Sequence, residues 1–127
     1  MDQVDYRTAI VNPLVRNEEI LYQLNGMSMY SSTNTEEMWN FVKNMGFENL
    51  ENRFQYAGST EVMDMLLGIR YLFCRNTRTL HTAYKKIAES QSFDLYENPR
   101  ALRSGYMVSD SVLDYAMEGA DPLEVQN

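Results

Sequence analysis

The sequence has little of what metal centres, disulfides and nucleophilic sites are built from. Among its 127 residues there is one cysteine, Cys74, and one histidine, His81. A lone cysteine cannot form an internal disulfide, and together the two fall short of the ligands of a tetrahedral zinc site. His81 lies in a polar stretch without a Gly-x-Ser-x-Gly motif, so we expect it on the surface rather than in catalysis. We expect Cys74, next to Phe73, to act as a small buried apolar residue.

Long hydrophobic runs and basic clusters are also missing. The most apolar stretch, residues 62–73, contains Asp64 and Arg70 and is much shorter than the ~20 apolar residues of a membrane span. Eleven Lys and Arg against eighteen Asp and Glu give a net charge of -7, which disfavours a nucleic-acid partner. The first residues lack the basic and apolar regions of a signal peptide. On this basis the chain is either cytosolic or part of something longer.

Glycine and proline are scarce as well. Six Gly and three Pro, together with 44% apolar and 12% aromatic residues, exclude a fibrous repeat and disfavour disorder. A chain of this length fits one compact domain that folds without disulfides or metal. We therefore expect a single folded module.

Hydrophobic periodicity predicts an alternation of strands and helices. The pattern predicts strands over residues 6–11, 18–30 (with a bend or bulge at Asn25-Gly26), 69–74, 93–96 and 105–108, and helices over 34–45, 59–67 and 109–117. Residues 80–89 fit a helix and a strand equally well. Because strands and helices are mixed along the chain, we expect an α+β domain with one mixed sheet and two to four helices packed on it.

The first long helix has the clearest signals. Either Thr33 with Glu36 or Asn34 with Glu37 forms a capping box, and Gly46 can end the helix in a left-handed conformation. The apolar stripe that we expect to face the core consists of Met38, Phe41, Val42 and Met45. We expect Trp39 at the margin of that stripe.

The next helix leads into a strand that is apolar on both faces. We expect Ser59 to cap this helix and Gly68 to end it, with Val62, Met65 and Leu66 facing inward. Apolar residues on both faces of 69–74 predict a central strand rather than an edge strand. Asn98-Pro99 should end the strand over 93–96.

The acidic residues do not form a recognisable catalytic or metal pattern. The pair Glu18-Glu19 has no special spacing, and Glu36-Glu37 suits the start of a helix. Asp110, Asp114 and Glu118 would form one solvated face of a terminal helix. No calcium loop and no Gly-rich phosphate loop occurs, so we expect no metal and no cofactor.

Aromatic and amide residues leave two interpretations open. Nine Tyr and one Trp, with Asn and Ser near Tyr30 and Tyr96, are suitable materials for a carbohydrate-binding face. Tyrosines at strand spacing are also ordinary packing residues. The nine Met are expected as adaptable core residues.

Four segments, taken in order, resemble the soluble part of the YfhO family of bacterial integral membrane proteins. They are LYQLNGMSMYSS at 21–32, LLGIRYL at 66–72, LYENPRAL at 95–102 and DPLEVQN at 121–127. Tyr6-Arg7 precedes them, and residues 44–47 lie between the first and second segments. The resemblance covers nearly the whole chain, and the family pattern continues beyond Asn127.

The resemblance implies a parent protein with many membrane spans, similar to the GT-C class of lipid-phosphate-sugar-dependent glycosyltransferases. Such a parent would glycosylate cell-envelope polymers such as teichoic acids. Residues 1–127 would be its single extracytoplasmic soluble domain, at the outer face of the bacterial cell membrane. The catalytic carboxylate of that class is expected near the first spans, outside this sequence, so no catalytic residue is carried over and this piece alone is not expected to be an enzyme.

The expected role is to position acceptor glycopolymer beside the membrane-embedded site. The expected partners are the transmembrane remainder of the parent chain and a cell-envelope glycopolymer. The candidate contact residues are Asn25, Tyr30, Ser31, Ser32, Tyr96 and Asn98. The alternative is a structural or protein-interaction module that braces the parent protein, which a broad apolar surface patch would favour. A stand-alone enzyme would require a deep polar pocket with a perturbed carboxylate or histidine.

Overall fold

A computed structural model describes residues 5–50, 53–57, 59–75, 83–103 and 105–111. The elements, in chain order, are β1 (Arg7–Val11), α1 (Glu18–Leu21), β2 (Met29–Tyr30), α2 (Glu36–Asn44), β3 (Glu48–Leu50), β4 (Arg53–Gln55), α3 (Glu61–Leu66), β5 (Ile69–Cys74), β6 (Lys85–Glu89) and β7 (Asp94–Glu97). In these ranges no helix has the length and apolar character needed to cross a membrane.

A four-stranded mixed sheet forms the larger half of the fold. Its strand order is β1-β5-β7-β6, with β5 parallel to β1 and antiparallel to β7. Ile69 and Leu72 of β5 are fully buried and pack with Ala9 and Cys74. The predicted central strand is therefore confirmed, and Cys74 is the small buried residue that the sequence predicted.

A second, antiparallel sheet has the order β2-β4-β3. Its core consists of Val42, Phe47, Phe54 and Met63. Three partly buried side chains, Met27, Tyr56 and Leu67, pack against both core clusters. The two sheets thus share packing residues, and the predicted α+β class with a mixed sheet is confirmed.

The long helix α2 starts later than predicted. Thr35 is the residue that caps it, and its hydroxyl accepts the amide of Met38 at 3.3 Å. The prediction of a cap at Thr33 or Asn34 is wrong, because the Thr33 hydroxyl bonds Ser31 in the turn before the helix. Gly46 follows the helix with φ 78°, as predicted.

Only part of the predicted stripe on α2 is buried. Val42 is 1% exposed, whereas Met38 is 48% exposed. Phe41 is also exposed, and Met45 and Trp39 are half-buried. Val42 packs with Phe47, Phe54 and Met63, whereas the outer positions of the stripe remain in contact with solvent.

The inward face of α3 differs from the prediction. Thr60, not Ser59, caps the helix, and Met63 and Asp64 are the buried residues. Val62 and Leu66 are exposed, so their predicted inward position is wrong. The reason is the Asp64 carboxylate, which points inward because it receives hydroxyl donors from the interior. Gly68 then turns the chain into β5 with φ 68°.

Residues 18–24 were predicted as a strand, which is wrong, because residues 18–21 form helix α1. Alternation of Ile20, Tyr22 and Leu24 suggested a strand, but Glu18 and Glu19 are the buried side chains. Their carboxylates accept backbone amides from the chain before the helix, which fixes this helical turn. Only Met29–Tyr30 of the predicted second piece is a strand.

The C-terminal part of the described chain is irregular. The ambiguous region contains strand β6, paired with β7, and β7 ends at Asn98-Pro99 as predicted. The strand predicted over residues 105–108 is wrong, because Tyr106, Met107 and Val108 are all exposed and bury no apolar face against a sheet. The predicted helix over 109–117 lies outside the described residues from position 112 onward, as do His81, Asp114, Glu118 and residues 121–127.

Candidate functional site

A cleft of about 260 Å³ lies between the loop that follows β1 and the second sheet. Its wall on one side is the 13–17 loop, and on the other side it is β2 with the end of β4. The side chains that carry polar groups into it are Arg16, Asn17, Glu19, Ser28, Tyr30 and Gln55. The cleft therefore combines an aromatic ring with amides, a hydroxyl, a cation and a carboxyl group.

The 13–17 loop is held in place by an ion pair at its base. The Glu18 carboxylate accepts the Leu14 amide at 2.9 Å and pairs with the Arg75 guanidinium at 2.6 Å. The Arg75 hydrogen bond holds the pKa of Glu18 below its ordinary value, although burial opposes this. This buried pair ties the loop to the end of β5.

Asn17 joins the loop to β2. It has a left-handed backbone, φ 56°, and its side-chain oxygen accepts the Tyr30 amide at 2.7 Å while its side-chain nitrogen donates to the Tyr30 carbonyl at 3.0 Å. The guanidinium carbon of Arg16 lies 4.5 Å from the centre of the Tyr30 ring, a cation–π distance. These contacts fix the ring of Tyr30 at the rim of the cleft.

Glu19 supplies a carboxyl group to the cleft. The residue is 1% exposed, and its Oε1 accepts the Ile10 amide at 3.3 Å. Among the described residues, its Oε2 receives no hydrogen bond. Burial raises the pKa of Glu19, and the nearby Ser28 and backbone amides only partly offset that rise. A buried acceptor in this state is suited to a ligand that brings a hydrogen-bond donor.

Gly26 allows the chain to pass this carboxyl group closely. A Cβ on Gly26 would lie 2.3 Å from the Cβ of Glu19, so no larger residue fits without moving α1. The turn predicted at Asn25-Gly26 is wrong, because Gly26 forms a parallel bridge with Thr8 while it packs against Glu19 of α1.

The cleft carries groups suited to binding a ligand with hydroxyl groups. Tyr30 offers an apolar ring face, and Ser28, Asn17 and Gln55 offer groups that can pair with hydroxyls. Among the residues lining it there is no histidine or cysteine to act as base or nucleophile. In the described ranges, no group of acidic, His and Cys side chains could hold a metal ion.

Of the first four predicted contact residues, only Tyr30 is among the residues lining this cleft. Ser31 and Ser32 follow Tyr30 directly in the chain. Ser31 bonds Thr33, and Ser32 is exposed. Asn25 is exposed, does not line the cleft, and donates its amide to the Tyr6 carbonyl at 3.2 Å.

The other two predicted contact residues lie in the four-stranded sheet. Tyr96 on β7 packs against the core cluster of that sheet. Asn98 is 4% exposed; its amide donates to the Ile69 carbonyl and accepts the Arg100 amide. These contacts favour a scaffold role for Tyr96 and Asn98, and neither residue lines the cleft.

Sequence reasoning did not select Asn17, Glu19 or Gln55. Glu18-Glu19 was noted as a pair, but adjacent acidic residues are usually solvated. Asn17 directly before the acidic pair is the sequence signal that could have indicated this site. Asparagine tolerates the left-handed conformation, which here turns the side chains of Glu18 and Glu19 inward.

A second buried carboxylate, Asp64, belongs to the scaffold. It accepts the Tyr56 hydroxyl at 2.6 Å and the Ser59 hydroxyl at 2.5 Å, and it also accepts the Tyr84 hydroxyl. Burial, together with this carboxylate, raises the pKa of both tyrosines. The network joins α3 to the residue that follows β4 and to the residue that leads into β6.

Comparison with known proteins gives one match. The family model described as bacterial membrane protein YfhO matches residues 2–127. No curated protein and no solved structure matches the chain.

Proposed function

The chain belongs to the YfhO family of bacterial membrane proteins, and from this premise we propose that it forms an extracytoplasmic, non-catalytic domain of such a protein. In this role it positions a cell-envelope glycopolymer of the teichoic acid type for glycosylation by the membrane-embedded part of the parent chain. The parent would be a GT-C-like, lipid-phosphate-sugar-dependent glycosyltransferase.

The observation that carries the proposal is the cleft beside Tyr30. An aromatic ring stacks on the apolar face of a sugar, and amide, hydroxyl and carboxyl groups pair with its hydroxyls. The unpartnered Oε2 of Glu19 gives the cleft an acceptor for one ligand hydroxyl. The volume of about 260 Å³ is slightly below the range of roughly 300–1,000 Å³ for pockets that enclose a drug-sized ligand, so the cleft would hold no more than one sugar residue of a polymer.

The charge of the domain favours contact with sugar rather than with phosphate. The net charge is -7, which repels a polyanion over most of the surface. Among the described residues that line the cleft, Arg16 is the only cationic side chain and Glu19 is acidic. The cleft would therefore hold a neutral saccharide unit, with Arg16 packed on the Tyr30 ring at its rim.

The ring of Tyr30 is already fixed before a ligand binds. Asn17 bonds both backbone groups of Tyr30, and Arg16 packs on its ring. Preorganisation of this kind lowers the entropy lost on binding. Ser31, Ser32 and Asn25 are proposed as outer contacts for polymer units that extend past the cleft.

Calorimetric titration of the 127-residue chain with a purified teichoic-acid-type glycopolymer tests the proposal. We expect saturable binding that the substitution Tyr30→Ala weakens at least tenfold. Tyr106→Ala is the matched control, because Tyr106 has nearly the same exposure, 44% against 42%, and does not line the cleft. Absence of binding at millimolar repeat units, or equal binding by Tyr30→Ala and wild type, would contradict the proposal.

The second candidate function is a brace for other parts of the parent protein. It is favoured by the exposed apolar side chains around α1, among them Leu14, Ile20 and Leu21. A brace predicts that these residues crosslink to another segment of the parent protein and that saccharide has no effect on the domain.

A further inference from the structure

The segment around α1 exposes an unusual concentration of large apolar side chains. Within nine consecutive residues, five such side chains are between 52% and 76% exposed: Leu14, Val15, Ile20, Leu21 and Tyr22. We call these five residues the α1 patch. Single exposed apolar residues are ordinary, but a contiguous group indicates an interaction surface.

The α1 patch is also free of exposed negative charge, although the chain as a whole carries a net charge of -7. The two acidic residues of the segment, Glu18 and Glu19, are 2% and 1% exposed. Glu18 is moreover neutralised by its ion pair with Arg75. The charged side chain that the segment presents outward is Arg16, so this surface is apolar with a single positive charge.

A mainly apolar cavity continues this surface inward. It has a volume of about 280 Å³ and is lined by Ile10, Tyr22, Leu24, Phe73, Arg75 and Phe93. Tyr22 belongs both to this cavity and to the α1 patch. The apolar surface therefore includes residues of β1, β5 and the turn before β7 as well as those around α1.

We propose that the α1 patch docks on the surface of an anionic phospholipid bilayer. This inference rests on the proposed placement of the domain beside the membrane of its parent protein. Exposed aliphatic side chains of a short surface helix enter the boundary between headgroups and acyl chains. Arg16 then lies at the level of the lipid phosphates, where a cation is attracted to an anionic surface.

Docking in this orientation would place the cleft at the bilayer surface. Leu14, Val15 and Arg16 line the cleft as well, because the 13–17 loop forms part of both sites. A glycopolymer held beside Tyr30 would then lie next to the lipid surface. The same loop would therefore set the distance between acceptor and membrane.

Flotation of the 127-residue chain with lipid vesicles tests this inference. We expect binding to vesicles of phosphatidylcholine and phosphatidylglycerol, weaker binding to phosphatidylcholine alone, and at least tenfold weaker binding of Leu21→Asp to the mixed vesicles. Arg16→Glu should remove the preference for the anionic vesicles. Ile87→Asp is the control, since Ile87 is an exposed apolar residue, 43% accessible, on strand β6. Circular dichroism of each variant verifies that it is folded.

Three results would overturn the inference. The first is no flotation of the wild-type chain with either vesicle. The second is equal flotation of folded Leu21→Asp and wild type. The third is a concentration-dependent dimer in sedimentation that Leu21→Asp abolishes, which would show that a second copy covers the patch. Vesicle binding without saccharide binding would instead refute the proposed glycopolymer role and leave the docking surface intact.

Discussion

Glu18 and Glu19 are adjacent in the sequence, and their carboxyl groups have opposite electrostatic environments. Arg75 and the Leu14 amide stabilise the charged form of Glu18. Glu19 has one backbone donor on Oε1 and none on Oε2 in the described part of the chain. Burial without full pairing disfavours the charged form of Glu19.

We expect Glu19→Gln to raise the free energy of unfolding at pH 7 by about 1 kcal/mol, because it removes an incompletely paired buried charge. The pKa of Glu19 is raised in the folded state. Its contribution to stability is therefore fully present below pH 4.5, the ordinary value, and is lost as the pH rises through the folded pKa. The gain from Glu19→Gln should thus vanish below pH 4.5, as urea unfolding at several pH values would measure.

Glu18→Gln is the matched substitution one residue earlier, and it should have the opposite sign. The pKa of Glu18 is lowered in the folded state, so its stabilisation is present above pH 4.5 and is lost as the pH falls through the folded pKa. We expect Glu18→Gln to lower the free energy of unfolding by about 2 kcal/mol at pH 7. Equal signs for the two variants would contradict this description of the carboxyl groups.

At the scale of the elements, hydrogen bonds from side chains decide where the helices begin. Thr35 caps α2 and Thr60 caps α3, each one residue or more after the position expected from the sequence. Residues 31–35 before α2 are all Ser, Thr or Asn, and Ser59-Thr60 precede α3; each of these residue types is a good cap residue. Local preference alone therefore could not select among them.

We expect Thr35→Ala to lower the free energy of unfolding by about 1 kcal/mol, since it leaves the Met38 amide without its acceptor. Thr33→Ala is the control. Its hydroxyl bonds Ser31 on the surface, so the loss should stay below about 0.5 kcal/mol. Thermal or urea unfolding measures the free energy of unfolding of both variants. A larger loss for Thr33→Ala than for Thr35→Ala would show that Thr33 caps the helix, as the sequence predicted.

Gly68 joins α3 to the central strand under two constraints. It has φ 68°, and a Cβ there would lie 2.8 Å from the Leu102 carbonyl oxygen. Gly105 has φ 85° and no neighbour within 4 Å of such a Cβ. We expect Gly68→Ala to lower the free energy of unfolding by about 3 kcal/mol and Gly105→Ala by about 1 kcal/mol, because only the first adds a backbone clash to left-handed strain. Equal losses of unfolding free energy for the two variants, measured by urea unfolding, would contradict this expectation and show that the Leu102 carbonyl moves away from the new methyl group at little cost.

The elements that could be predicted are those whose pattern reflects packing on both sides. Strand β5 lies between β1 and β7, and the apolar residues on both of its faces predict this central position. Helix α1 could not be predicted, because its inward residues are charged and its outward residues Ile20 and Leu21 are apolar, the reverse of the usual pattern. Helix α1 is held by hydrogen bonds that its carboxylates accept from the backbone amides of Ile10 and Leu14. Local hydrophobic periodicity does not predict such bonds.

At the scale of the whole molecule, the class of fold and the family that the sequence predicted are confirmed, whereas the contact residues stay a prediction. Tyr30 was selected because tyrosine beside Ser and Asn suits a sugar, and it does line the cleft. Tyr96 was selected by the same reasoning, yet it packs on the core of the four-stranded sheet. Composition does not show which tyrosine ring is exposed and which is packed in the core. The difference depends on how the two sheets pack together through Met27, Tyr56 and Leu67.

The 13–17 loop belongs to both proposed sites. Leu14, Val15 and Arg16 line the cleft, and Leu14 and Val15 are also part of the α1 patch. In the proposed arrangement, the patch faces lipid and the cleft holds polymer at its edge. The proposed role of the domain is then to hold the acceptor polymer close to the membrane surface.

The most direct measurement is a two-dimensional 1H–15N NMR titration of the chain with the glycopolymer. We predict saturable shifts of the backbone amides of Asn17, Ser28 and Tyr30, and unchanged amides in the 90–93 turn between β6 and β7. The same titration of Tyr30→Ala should show no saturable shifts. A wild-type spectrum that stays unchanged at millimolar repeat units, or shifts confined to the 90–93 turn, would contradict a saccharide-binding cleft in this domain.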